Sequence, residues 1–272
     1  MSALALSALP VMAHASPIAD ALNQVRNAGC AGRPAVPERL REVPELAEAA
    51  RRIAGGAGTN AALAQSDYRA QRSATLRVGG STAPALIAQT LAARSCTHLT
   101  EPAYQEMGVY QQGRDTWIVL AAPFAPPSAD SGSAVAERVL QLVNAARRQS
   151  RQCGERPYRA VGTLRLNALL SAAAQAHAAD MAAHSYFAHE GRDGSSPADR
   201  ATRAGYRWRS IGENIASGMT TPEAAVEGWL NSPPHCANLM APQFTEMGIA
   251  FAVNRSSKDG IYWGQLFGTP RE

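Results

Sequence analysis

Two stretches of this chain carry nearly the same text. Residues 96–109 read CTHLTEPAYQEMGV and residues 236–249 read CANLMAPQFTEMGI. Six of the fourteen positions agree in register: the Cys, a Leu, a Pro and the run Glu-Met-Gly. An internal repeat constrains the fold before any composition does, because a pattern stated twice calls for the same local surroundings twice. The copies differ at one informative place. His235 precedes the second cysteine, whereas Ser95 precedes the first.

The order of elements around each copy also matches. Each opens with a helical stretch (ALNQVRNAG; ERVLQLVNAARRQ) leading to a Cys-Gly-Pro turn. A long Ala/Leu-rich helix follows (VPELAEAARRIAGG; LNALLSAAAQAHAADMAAHSYF), then a Tyr-Arg segment (DYRAQRS; GYRWRS) and a further helix. After the repeated motif, apolar alternation around a tryptophan (DTWIVLAAP; GIYWGQLFG) predicts a strand in a hairpin. With helices first and strands last, the parallel α/β alternation is missing, so the pattern predicts α+β domains with helices on an antiparallel sheet. Thr221 reads as an N-cap with Pro222 at the first helical position, and Pro233-Pro234 as the end of that helix. Trp229 falls at core spacing. The segment APFAPPSADSGSA at 122–134 reads as a linker, which gives domains at 20–122 and 135–272 with 123–134 between them.

Residues 1–15, MSALALSALPVMAHA, resemble the apolar core and small-x-small cleavage site of a secretory signal cut after Ala15. The first arginine is Arg26, so the basic start of such a signal is missing and the leader reads as truncated. This places the protein outside the cell or in the periplasm. Four cysteines in an exported chain imply two disulfides and allow three pairings. The repeat selects Cys30–Cys96 and Cys153–Cys236, one early and one late cysteine per copy, with AGCAGRP around Cys30 echoed by RQCGERP around Cys153. Each bridge would stabilise by roughly 4–5 kcal/mol in the chain-entropy model. No stretch approaches eighteen uninterrupted apolar residues, which argues against a membrane span. The net charge of +4 comes mostly from scattered arginines with no run of five basic residues. Nucleic-acid binding is therefore not expected.

Between its cysteines the second half carries seventeen more residues than the first, 83 against 66. The excess holds three polar residues at loop edges: His189 in YFAHEGRDG, Glu213 in IGENIASG and His235 in PPHCANLM. Rigid neighbours hold all three, which suits a cleft better than a core. His177 and His184 lie seven apart on one helix face and read as packing or surface residues. His98 and His14 have no supporting context, and Asp199, Arg200 and Asn214 read as residues that pin loops by hydrogen bonds.

The motifs YFAH, DGSSPADR, AGY, GENIASG, WLNSPPH, NLM, EMGIAF and YWGQLFG occur in this order over residues 135–268. They resemble a bacterial member of the CAP superfamily: the cysteine-rich secretory, antigen 5 and pathogenesis-related 1 proteins, or SCP domains. The resemblance implies an α-β-α sandwich and a secreted protein with a cleft lined by two His and usually two Glu. His189, Glu213 and His235 match three of those four groups. Ser232 stands where eukaryotic members carry the second Glu. Read as chemistry, His189 and His235 could hold a divalent metal such as zinc, although no local HExxH signature supports it. A Ser232–His235 nucleophile has no GxSxG context.

The preferred reading is an exported binding module rather than an enzyme. Its cleft of His189, Glu213, His235 and Ser232 would take a small or lipid-like ligand or an envelope or host partner. One alternative is a metal-dependent hydrolase with His189 and His235 as ligands and Glu213 as base. Another is a structural or adhesive exported protein. Residues 20–122 keep the cysteines and the Pro-x-x-x-Glu-Met-Gly motif without the polar site. They read as a degenerate copy of the same fold.

Overall fold

A capping side chain or a proline in the first turn starts most helices of this chain. The computed structural model describes residues 16–271, and the leader read at 1–15 lies outside them. The chain divides into two compact units between Phe124 and Ala125.

In the first unit, α1 (Pro17–Ala28) begins where Ser16 Oγ accepts the N–H of Ala19. There follow β1 (Arg41–Glu42), α2 (Pro44–Ala54), α3 (Thr59–Gln65), β2 (Ala70–Val78), α4 (Pro84–Arg94), α5 (Cys96–Leu99), β3 (Glu106–Gln112) and β4 (Asp115–Pro123). The sheet order is β1-β3-β4-β2, with β1 parallel to β3 and the other pairs antiparallel. Strand alternation splits the core between two faces. Ile118 and Leu120 pack with Leu22, Ile87 and Leu91, while Val119 and Ala121 pack with Leu46, Ala49 and Ala50. Helices therefore cover both sides of the sheet.

The second unit begins with a short 3-10 turn (Ala129–Ser131) that runs into α6 (Gly132–Arg147). A small hairpin of β5 (Arg151–Cys153) and β6 (Arg156–Tyr158) follows, then β7 (Arg165–Leu166), α7 (Ala168–His184), α8 (Pro197–Arg203) and β8 (Trp208–Ser217). The chain ends with α9 (Pro222–Leu230), α10 (Pro233–Leu239), β9 (Glu246–Val253) and β10 (Ile261–Pro270). The sheet order is β7-β9-β10-β8, and again the two-residue first strand is the parallel one. This is the mixed helix-and-sheet sandwich that the motifs imply.

The repeated Glu-Met-Gly opens β3 and β9, and each of its residues has a structural task. Glu106 and Glu246 each accept hydrogen bonds from an arginine of the short parallel strand (Arg41; Arg165) and from a tyrosine (Tyr68; Tyr206). Met107 and Met247 are fully buried. Gly108 and Gly248 let a helix backbone press onto the strand. A Cβ there would sit 2.0 Å from the Leu46 carbonyl carbon and 2.1 Å from that of Leu170. Upstream, Arg26 and Arg147 are buried and donate only to backbone carbonyls in the hydrogen bonds found for them. Arg147 reaches Gly162, Leu239, Ala241 and Phe244, and Arg26 reaches Glu38, Leu99, Glu101 and Tyr104. Burial pulls the Arg147 guanidinium down to about 10. The cysteines are bonded as Cys30–Cys96 and Cys153–Cys236, with Cα atoms 5.8 and 5.5 Å apart.

Several boundaries differ from the sequence reading. The linker expected at 123–134 is shorter. Pro123 ends β4, Phe124 is buried, and the 3-10 turn and α6 take up the segment from Ala129. Glycine and serine there begin a helix rather than a tether, because helix ends tolerate both. The Tyr-Arg segments lead into full strands, β2 and β8, so a strand stands in the middle of each unit and not only at its end. Pro233-Pro234 also open α10 after α9 has stopped, since proline needs no N–H in the first turn of a helix.

Candidate functional site

β8 is the edge strand of its sheet, and its alternation sends neighbouring side chains to opposite faces. Glu213 pairs in register with Leu266, whose side chain belongs to the core beneath α7 and α8. Asn214 turns the other way, toward α10. It donates to the His235 carbonyl at 3.2 Å and to Gln265 at 3.1 Å, and accepts from Asn238 at 3.0 Å. Asn238 also donates to the Glu213 carbonyl at 2.9 Å. Groups from both faces thus meet around the free edge of β8. The preceding glycine is needed for space, since a Cβ on Gly212 would come within 2.7 Å of the Phe244 ring.

Glu213 is buried and fully engaged. Its Oε1 lies 2.8 Å from His189 Nδ1, and its Oε2 accepts from Arg200 at 2.6 Å. The Arg200 and Glu213 side chains are 5% and 2% exposed. Arg200 also donates to the carbonyls of Ser195 (2.7 Å) and His189 (2.9 Å), so one guanidinium fixes both the carboxylate and the loop that carries the histidine. The position of Arg200 follows from the start of α8. Ser196 and Asp199 form a capping box around Pro197, which sets the helix phase and turns Arg200 inward. His189 itself is half-exposed, and its ring centroid lies 6.4 Å from that of His235.

His235 sits in the first turn of α10, beside the Cys153–Cys236 bridge, with Nδ1 2.8 Å from Ser232 Oγ. Burial, and then the neighbouring His189, depress its pKa below the ordinary 6.5, so the ring is neutral at pH 7. Ser232 is thus the hydrogen-bond partner of the His235 ring. It lacks the surroundings of a nucleophile. The next two residues are prolines, which have no N–H to offer an oxyanion at this helix start.

Four of the sequence-selected residues thus come together: His189, Glu213, His235 and Ser232. His177 is buried on α7 with Nε2 2.9 Å from the Ala188 carbonyl, while His184 is exposed beside Asp180. Sequence reasoning assigned Arg200 to loop pinning and did not see it as the partner of Glu213. The capping box one residue earlier was the available signal. Asn238 was not singled out at all.

The donor set also tests the metal reading. Both Nδ1 atoms are taken, by Glu213 and by Ser232, which leaves two Nε2 atoms for any ligand. Glu213 has no free oxygen, and no group of three or more His, Cys, Asp or Glu suited to holding a metal occurs among the described residues. Two imidazoles do not fit a hydrolytic zinc centre with three protein ligands and a separate base. Only His189 is backed by a carboxylate, and His235 is held by the Ser232 hydroxyl.

The second unit is thus a helix-covered sheet with two histidine rings, His189 and His235, near its edge strand. Residues 140–267 match the family model for the cysteine-rich secretory protein family, CAP. The uncharacterized protein YkwD of Bacillus subtilis is 34% identical over 137 residues, covering 50% of this chain and 48% of its own length. The uncharacterized membrane protein YlbC of the same organism is 37% identical over 73 residues, 27% of this chain and 21% of its own. The chain therefore spans about half or less of the curated relatives it matches. Among solved structures, Na-ASP-1 is similar over 94% of this chain and 88% of its own, at 10% identity and a TM-score of 0.56. That is a likeness of fold.

Proposed function

We propose that this is an exported CAP-type binding module. In this reading, the cleft of His189, His235, Glu213 and Ser232 holds a polar group of a small or lipid-like ligand. One observation carries it: Glu213 has both oxygens committed, one to Arg200 and one to His189. A carboxylate held this way orients an imidazole and is not free to take a proton from water, so the hydrolase that would use it as base loses its base. What the cleft offers is a pair of imidazole Nε2 atoms, one on a half-exposed ring. Phe187, two residues before His189, is 48% exposed and gives the same loop an apolar surface. Two disulfides support an oxidising compartment. No helix among the described residues is long and apolar enough to cross a membrane.

In the same reading the first unit is a degenerate copy without the site. Its sheet order, parallel first strand, buried arginine and Glu-Met-Gly contacts repeat those of the second unit. Counted across the sheet from the repeated glycine, Gly108 leads through Val119 to Thr75, where Gly248 leads through Leu266 to Glu213. Thr75 and Ser95 thus stand where Glu213 and His235 stand.

The test is solvent extraction of the purified, oxidised protein, with mass spectrometry of the extract, beside a His189→Ala/His235→Ala variant. A molecule retained by the wild type and depleted in the variant is the expected result. Equal retention by both, or none by either, would overturn the cleft as the binding site.

A further inference from the structure

The pairing of β8 with β10 slips at its last step. Trp208 lies opposite Pro270 and Ser210 opposite Thr269, so Arg209 is the extra residue of a β-bulge on an edge strand. Bulges at sheet edges re-aim a side chain. Just outside the bulge, the N–H of Arg271 donates to the Arg207 carbonyl at 2.9 Å. Arg207, Arg209 and Arg271 are thereby tied to one end of one strand pair, and all of them are exposed. They line a single cavity of about 1040 Å³ together with Trp208, Thr245 and Thr269. His189, Glu213, His235 and Ser232 do not line it, so it is separate from the cleft.

The charge of this wall is unbalanced. It contains no Asp or Glu, and no ion pair of the second unit among the described residues includes Arg207, Arg209 or Arg271. Charges on adjoining residues are already matched. Tyr206 on the wall donates to Glu246 at 2.6 Å, and that carboxylate pairs with Arg165 at 2.9 Å. Arg203 pairs with Asp193 at 2.9 Å.

The first unit supplies a control. Its strands β2 and β4 slip at the same step, with Ala70 opposite Pro123 and Arg72 opposite Ala122. The N–H of Phe124 donates to the Arg69 carbonyl at 2.9 Å, as Arg271 does to Arg207. The extra residue there is Gln71, and Arg69 stacks over the Phe124 ring at 4.5 Å. The backbone arrangement therefore needs no cluster of arginines. Guanidinium charges gathered in one wall repel one another, which costs stability until an anion neutralises them.

We propose that this cavity binds a small oxyanion carrying several negative charges. Guanidinium forks match the paired oxygens of phosphate and carboxylate groups alike. A monovalent anion neutralises only one of the arginines, so the wall selects for charge.

The experiment is calorimetric titration of the full oxidised chain at low ionic strength with pyrophosphate, citrate and acetate. Pyrophosphate or citrate should bind saturably and one-to-one, and the tighter of the two tells phosphate from carboxylate recognition. Acetate should bind at least about tenfold more weakly. Arg209→Gln should weaken the multivalent anion at least about tenfold, with the melting temperature unchanged or raised because a repulsion is removed. Arg271→Gln serves the same purpose if the first variant folds poorly. Arg148→Gln, at an exposed arginine outside the cavity, should bind like wild type. Glu272 follows Arg271 in sequence and lies outside the described residues, and Glu272→Gln should bind at least as tightly as wild type. The proposal fails if neither multivalent anion binds at millimolar concentration, if acetate binds as well, or if Glu272→Gln binds more weakly. It also fails if Arg148→Gln loses as much as Arg209→Gln, which would mean diffuse attraction to a positively charged chain.

Discussion

Replacing Arg200 by methionine tests the electrostatic account of the buried Arg200–Glu213 pair. Arg200 and Glu213 are 2.6 Å apart with side chains 5% and 2% exposed, so neither charge has water to fall back on. Removing one partner of such a pair leaves an uncompensated buried charge, at a cost of about 3–5 kcal/mol. The bonds to the Ser195 and His189 carbonyls are lost as well, at roughly 1 kcal/mol each before those carbonyls find water. The expected loss for Arg200→Met is therefore at least about 3 kcal/mol, a large share of the ~5–15 kcal/mol that holds a typical domain together. Urea unfolding followed by tryptophan fluorescence reads this directly, since Trp208, Trp229 and Trp263 lie in the second unit and only Trp117 in the first. Adding Glu213→Gln removes the orphaned charge, so the double variant should be more stable than Arg200→Met alone. A single-variant cost below about 1 kcal/mol, or a double variant no better than the single, would refute the reasoning.

Acid should weaken the second unit through its histidines. His177 and His235 both have pKa values depressed below the ordinary 6.5, chiefly by burial, so the unfolded chain binds their protons more readily than the folded one. Their contribution is complete above pH 6.5 and is lost as pH falls toward the folded values. Unfolding at pH 7.5 and 5.5 should show this loss, smaller in His235→Asn, and a gain of stability on acidification would contradict it. Calorimetric zinc titration of the oxidised chain should show weak binding that does not saturate at micromolar metal. Tight one-to-one binding abolished by His189→Ala would instead restore a dedicated metal centre.

Much of this arrangement was legible in the linear text. The Glu-Met-Gly repeat, the cysteine contexts and the GEN and PPH motifs are local patterns, and local patterns survive in sequence because adjacent residues share a backbone. They were enough to mark the α+β class and to bring His189, Glu213 and His235 forward as candidates. Reading Pro233-Pro234 as an end was half right, because proline punctuates both the stop of one helix and the start of the next. What β8 does was hidden. A strand's place at a sheet edge depends on pairing with a partner some fifty residues away, as Asn214 pairs with Gln265.

Only the tertiary structure shows what Glu213 touches. The sequence offers it as ligand, base or structural anchor alike. The answer depends on Arg200, thirteen residues earlier on another element, whose guanidinium reaches the carboxylate only after the capping box of α8 has set the helix phase. The same holds for Arg207, Arg209 and Arg271, which share one wall only once β8 has paired with β10. Residue types and local order are written in the chain. Which buried charge meets which partner is fixed by packing at a distance, where desolvation makes each pairing decisive.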